Sequence, residues 1–217
     1  MLTVLTGSTS NNLTTLDALK SHLGVTTTDY DEQLTDAVTA ASDAVATYIG
    51  YYPLQQVYRE TMPGYGGQRL MVSRTPLTAV SAMYYGSTGL LVDPASYYID
   101  NAASGFIVRD LGFPWSAGVE WDLDAHIAPR SERNVFIVDY TAGWVMSTDA
   151  TRTLPNDLEH AAVEAAKSLF LGRRRDGTIA SKRVGSLSVT YAQGTNGASY
   201  ALPEESRGFL ERYRRIK

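Results

Sequence analysis

The stretch that most constrains this fold is Asp31 to Gly50, DEQLTDAVTAASDAVATYIG. Leu34, Val38, Ala41, Val45 and Tyr48 recur at steps of four and three, which sets them on one stripe of a helix. Ala37, Ala44 and Ile49 widen the stripe. Asp31 and Glu32 lie in the first turn, where the helix dipole favours negative charge. Gly50 is placed to end the helix in a left-handed conformation, and Pro53 blocks its continuation. An alanine-rich stripe lets a second helix approach closely. Nothing on it has catalytic character.

The flanks extend this pattern. LTTLDALKSHLG predicts a helix near 14–23, with Thr14 and Asp17 at capping-box-like spacing and Gly24 as the stop. The two helices read as a hairpin preceded by a polar lead-in over residues 1–12. After Pro53 the period changes to two. Short strands are predicted over 54–62, 69–73, 75–86, 90–92, 97–99, 106–108 and 135–140. The last of these, VFIVDY, is apolar enough for a strand buried on both faces. Residues 112–133 have no period and read as a long loop carrying Trp115 and Trp121, a candidate interface. Helical spacing returns at 154–172, where Leu158, Ala162, Ala165 and Leu169 form a stripe after Pro155. A basic turn region (173–183), an alternating stretch (184–191), a Gly- and Asn-rich linker (192–199) and a terminal helix near 204–215 complete the chain.

The expected fold class is therefore α+β. Helices near 14–23, 32–49 and 156–171 form a helical bundle, with a mainly antiparallel β-region (54–144) inserted between the second and third. A single domain is expected over residues 1–200, followed by a C-terminal helical tail over 201–217.

Charge divides the chain. Residues 167–217 carry eleven Lys and Arg against four acids, a net +7, which leaves −11 on residues 1–166. An acidic body with a basic tail points to a partner for the tail, either an acidic protein surface or nucleic acid. Arg173, Arg174, Arg175, Lys182 and Arg183 are candidate phosphate or partner contacts. Helix-end compensation also accounts for Arg173 to Arg175. It does not account for Arg212, Arg214, Arg215 and Lys217 beside the apolar Phe209, Leu210 and Tyr213, which together look like a docking helix.

Enzyme chemistry finds little support. The chain has no cysteine, so it has neither a thiol nucleophile nor a thiolate metal site, and synthesis in a reducing cytoplasm is expected. MLTVLTGSTSNN lacks the basic region and long apolar core of a signal peptide, so none is expected, and the sequence has no apolar run of membrane-spanning length. His22 and His160 lie on helices without an HExxH pattern. GYGG at 64–67 lacks the Lys-Ser/Thr and helix start of a phosphate cradle. The best alternative is Asp122, Asp124 and His126 in WDLDAH, whose alternate spacing would suit a divalent metal in a small β-rich metal-binding or enzymatic module. No second ligand cluster accompanies them, and no cofactor motif is present.

The order of these features is familiar: the LTTLDALKSHLGV helix, the AVTAASDAVATYIGYYP helix, TPLTAVSAMYY, VFIVDYTAGW, then a helix with Pro155, Leu158, Glu159 and Ala161, and a basic tail. It resembles the head–tail connector (adaptor, or head-completion) proteins of long-tailed double-stranded DNA bacteriophages. That resemblance implies a virion structural protein of the neck, made in the host cytoplasm, with no catalytic site, no cofactor and no membrane partner. It implies a ring, commonly of twelve subunits, that binds the portal protein above and a stopper or tail-completion protein below. Passing double-stranded DNA would be touched without sequence reading. The C-terminal segment would reach the portal, with Phe209, Leu210 and Tyr213 as apolar anchors and Arg212, Arg214 and Arg215 facing carboxylates.

Overall fold

The computed structural model describes residues 1–64, 66–85, 89–113, 135–146, 151–173, 181–184, 187–190 and 202–214. The fold is α+β, with helices and strands in roughly the order that the periodicity predicts. The chain divides into two units, each assembled from separated segments: residues 1–9 with 54–145, and residues 10–53 with 146–217.

The first unit is built on sheets. Strands β1 (Leu2–Thr6), β2 (Gln56–Pro63), β4 (Leu77–Tyr85), β5 (Leu90–Leu91) and β8 (Val135–Ala142) form one sheet in the order β1-β2-β8-β4-β5, all antiparallel. Strands β3 (Arg69–Met71), β6 (Tyr97–Asn101) and β7 (Phe106–Arg109) form a second, in the order β3-β7-β6. The alternation read from sequence is the cause. Gln56, Tyr58, Glu60 and Met62 of β2 point inward, and the residues between them are exposed or half-buried. Phe136, Val138, Tyr140 and Ala142 of β8 line the same core with Leu70, Met83, Ile107 and Phe113. Phe113 and Phe136 meet edge to face, with ring centroids 5.1 Å apart.

Two expectations change here. Residues 1–12 are not only a polar lead-in, because Leu2–Thr6 is a strand paired with β2. With four of its five residues exposed and only Leu2 packed against the core, β1 takes its place mainly from backbone pairing, so periodicity carries little signal for it. In addition, β8 is fully buried on one face only. On the other, Ile137 and Thr141 are half-covered, and Asp139 is held by a two-bond pair with Arg59, each bond 2.7 Å long.

The second unit is helical. Helix α1 (Leu16–Leu23) is capped by Thr15, not Thr14, through the Thr15 hydroxyl accepting from the Ala18 N–H at 3.1 Å. Thr14 is instead buried. Helix α2 (Asp31–Ile49) runs as predicted, and Gly24 and Gly50 both end their helices left-handed, at φ 67° and 87°. The buried stripe of α2 is rotated slightly from the sequence reading: Ser42 and Ala46 are buried, while Ala44 and Tyr48 are half-covered. Ser42 earns its interior place by accepting from the Leu13 N–H and donating to the Val38 carbonyl. Helix α3 (Asn156–Gly172) packs on α2 with Leu158, Ala161, Ala162, Ala165 and Ala166 buried, so the buried faces of both helices are rich in alanine. Leu169 and Phe170 are only half-covered.

Strands β9 (Ser181–Val184) and β10 (Leu187–Thr190) pair antiparallel. The basic turn expected over 173–183 therefore contains a strand from Ser181 onward. Helix α4 (Glu204–Leu210) continues into a 3-10 turn, Glu211–Tyr213, and packs mainly on α3.

Candidate interaction surfaces

The C-terminal segment is seated by one side of α4. Leu210 is completely buried, Ser206 and Leu202 nearly so, while Phe209 keeps 45% of its surface exposed. The apolar residues expected to share one docking face are thus divided. Leu210 belongs to the interior of its own unit, and Phe209 lies at the surface with its ring edge-on to His160, 5.8 Å away. Adjacent residues on a helix are about 100° apart, so one can be buried while the next is exposed.

Arg212 and Arg214, the described basic residues beyond Leu210, are engaged within the same unit. The Tyr213 hydroxyl donates to Asp157 at 2.8 Å, and Arg212 reaches the same carboxylate at 3.1 Å while donating to the Tyr213 oxygen at 2.7 Å. Burial, and then the bond to Asp157, raise the Tyr213 pKa above its ordinary value near 10. Arg214 pairs with Glu211 at 3.3 Å, and its guanidinium lies 5.7 Å from the centre of the Tyr48 ring. Glu211 also accepts from the Tyr48 hydroxyl at 2.8 Å, and this bond is the main cause of the raised Tyr48 pKa. Asp157 reads in the sequence as a helix-dipole acid. Its second role, holding a segment more than fifty residues away, has no local signature.

A further contact lies on the exposed side of the α1–α3 pair, where His22 meets Glu164 at 2.7 Å and the His160 ring edge-on at 6.2 Å. Burial alone would raise the Glu164 pKa, but the bonds from His22 and Lys167 together outweigh it and lower the value.

Arg173 closes α3. It donates to Gln33, and its guanidinium stacks over Phe170 at 4.0 Å and lies 5.4 Å from the Tyr30 ring centre. Lys182 and Arg183 lie on β9, opposite Val189 and Ser188. Arg174, Arg175 and Arg215 lie outside the described residues, as do Trp115, Trp121, Asp122, Asp124 and His126. Among the described residues no cluster of three potential metal ligands occurs, and no helix is long and apolar enough to cross a membrane.

Comparison with known proteins shows the family to which the chain belongs. A family model described as "Head completion protein" matches residues 12–216. The chain belongs to the head completion protein family. Such a protein is a structural part of a phage-like particle, not an enzyme. No curated protein matches the chain. This head completion protein shares its fold with chains from the neck of an empty gene transfer agent (GTA) particle computed with C6 symmetry and the neck of a native GTA particle computed with C12 symmetry. Identities are 16% and 18%, the TM-score is 0.57 for both, and each match covers 100% of this chain and 96% of the other. A chain from the virion of native GTA is similar to the same degree, at 17% identity.

Proposed function

We propose that this head completion protein is a neck subunit, a head–tail connector that forms a ring below the portal, extends the DNA channel and links the capsid to the stopper or tail. The observation that carries this reading is the family match over residues 12–216, joined by whole-chain likeness to components of C6 and C12 necks. A twelve-subunit ring fits the second of those symmetries. Closure of such a ring uses two different surfaces on each subunit.

The portal-facing element in this proposal is the C-terminal segment, with Phe209 as its exposed apolar contact and Arg212 and Arg214, 68% and 54% exposed, as its charged ones. Leu210 anchors the segment to its own unit, and Arg215 continues the basic run. Asp157 is the intramolecular stand-in for a portal carboxylate: a partner acid that takes over Arg212 and Tyr213 frees the end of the chain to follow it. Charged contacts of this kind give orientation and on-rate, while repetition around a ring supplies avidity. Arg173 to Arg175, Lys182 and Arg183 are proposed to meet either the passing DNA or a partner, and the Trp115–Trp121 loop a neighbouring neck protein.

Electron microscopy of the full chain mixed with its portal tests the reading. The expected result is a ring of this protein stacked on the portal ring. Particles that complete their heads and join tails with the gene deleted would overturn it.

A further inference from the structure

Among the described residues the five-stranded sheet has two edge segments without a further strand, and neither carries a charged side chain or a proline. At one edge is β1, LTVLT, whose only strand partner among the described residues is β2. At the other is β4, of which only Tyr84 and Tyr85 are covered by β5. Its segment Thr78–Ala82, TAVSA, has no strand beyond it among the described residues, and Thr78, Ala79 and Ser81 are exposed. The two edges are five residues each, with no charge and no proline. Sheet edges in proteins that stay apart are commonly guarded by lysines, prolines or covering elements, because unpaired N–H and C=O groups recruit another strand.

Side chains at both ends add to this. Val4 and Leu5 of β1 are 49% and 46% exposed, and Leu90 and Leu91 of β5, paired beside Tyr85 and Tyr84 at the end of the open part of β4, are 67% and 57% exposed. Register fixes which backbone groups are free. The Thr61 N–H donates to the Met1 carbonyl, so antiparallel alternation turns the backbone groups of Leu2 and Val4 away from β2.

Strand direction makes the two edges compatible. In the order β1-β2-β8-β4 each strand runs opposite to its neighbour, so β4 runs opposite to β1. A rotation about an axis along the strands keeps every β1 pointing the same way. It therefore brings β1 of one copy beside β4 of the next in antiparallel orientation, the pairing the sheet already uses. Both edge strands carry bulges, at Leu5 in β1 and at Thr78 and Ser81 in β4. Bulges supply the added twist and curvature that a sheet needs to bend around an axis.

We propose that β1 of one copy of this chain adds to the Thr78–Ala82 edge of β4 in the next copy, so that the sheets of neighbouring subunits join. The occupant is a second copy rather than another protein because the two edges match in length, direction and lack of charge, and because heterologous closure requires one surface of each kind per subunit. The inference rests on the ring reading above and identifies the ring's contact surfaces.

The chain has no cysteine, so introduced thiols report cleanly. Full-length V4C/A79C and V4C/S81C, which bracket the register, are concentrated with the portal and treated with a short bismaleimide. A ladder from dimer upward is expected for at least one pair. Each single variant alone should give no ladder, and a mixture of V4C with S81C or A79C should stop at dimer. V4K, which guards the edge, should keep the wild-type melting temperature and lose the ring. If wild type forms rings but neither pair yields a ladder, or V4K forms rings as wild type does, the edge assignment is wrong and the neck reading stands. If wild type forms no ring at all and neither pair cross-links, both fall.

Discussion

Replacing Tyr140 with phenylalanine should destabilise the sheet unit by about 2 kcal/mol. Tyr140 is completely buried, and its hydroxyl donates to Glu60 Oε2 at 2.7 Å. Glu60 lies on the inward face of β2 and is only 7% exposed. Its carboxylate is held by three donors: Tyr140, the Ser73 N–H at 2.8 Å on the same oxygen, and the Ser73 hydroxyl on the other. A hydrogen bond to a charged group contributes about 1.5–3 kcal/mol, and a buried acceptor stripped of a donor keeps its desolvation cost. Two donors remain in the variant, so the lower half of that range applies. For a chain of this length the loss corresponds to a fall of about 4–8 °C in melting temperature. Alkaline pH gives an independent check. Burial first, then the bond to Glu60, raise the Tyr140 pKa well above its ordinary value near 10, and burial also raises Tyr58. Stability from a raised folded-state pKa is fully present below the unfolded value and is lost as pH rises through the folded one. Wild type should therefore weaken progressively above about pH 10, and the gap between wild type and Y140F should narrow there. Urea unfolding from pH 7 to 11, followed by circular dichroism, measures both effects. A neutral variant at pH 7, or a gap that stays constant with pH, would refute the account of Glu60 as a carboxylate sustained by Tyr140.

Two further substitutions probe the other parts of the fold. G143A should destabilise by at least about 2 kcal/mol, because Gly143 sits at φ +113° and a Cβ there would lie 2.6 Å from the Leu54 carbonyl oxygen; thermal melting reads this, and a melting point within 2 °C of wild type, as an approximate threshold, would contradict it. L210A should cost about 2–5 kcal/mol and speed amide exchange over residues 202–214, since Leu210 is completely buried, whereas F209A should leave stability within about 0.5 kcal/mol and weaken portal binding; equal stability losses from the two would show that α4 is not seated as described.

Most of the helices were legible because their burial is periodic. The spacing of Leu34, Val38, Ala41 and Val45 identifies the buried face of α2, and the same argument locates α3 from Leu158, Ala162 and Ala165. Strands with one buried face, such as β2, follow from alternation. What escaped was structure that rests mainly on backbone pairing. LTVLT has the residues of a strand, but its neighbours in sequence supply no partner, and its mate Val57–Glu60 lies some fifty residues away. The slight rotation of the α2 face has a comparable origin. Ser42 ranks as polar in any pattern count, yet it is buried because Leu13 N–H and Val38 C=O satisfy it.

The C-terminal segment shows the same limit from the other side. Its composition, an apolar triplet among arginines after a glycine-rich linker, describes an amphipathic peptide in search of a groove, and sequence alone cannot say whether that groove belongs to a partner or to its own chain. In this structure the first groove is its own: Leu210 is enclosed, and Asp157 holds Arg212 and Tyr213. The two uses are compatible because they draw on different bonds. Packing around Leu210 is apolar and insensitive to salt, whereas the Asp157 contacts involve an arginine that is 68% exposed, where ion pairs contribute about 0–1 kcal/mol and are screened. In the proposed docking, a partner carboxylate replaces Asp157 at little net cost while Leu210 stays in place. On that proposal the segment stays tethered at α4 and exchanges beyond it, and Arg212 to Arg214 are the residues whose intramolecular pairing would pass to an intermolecular one.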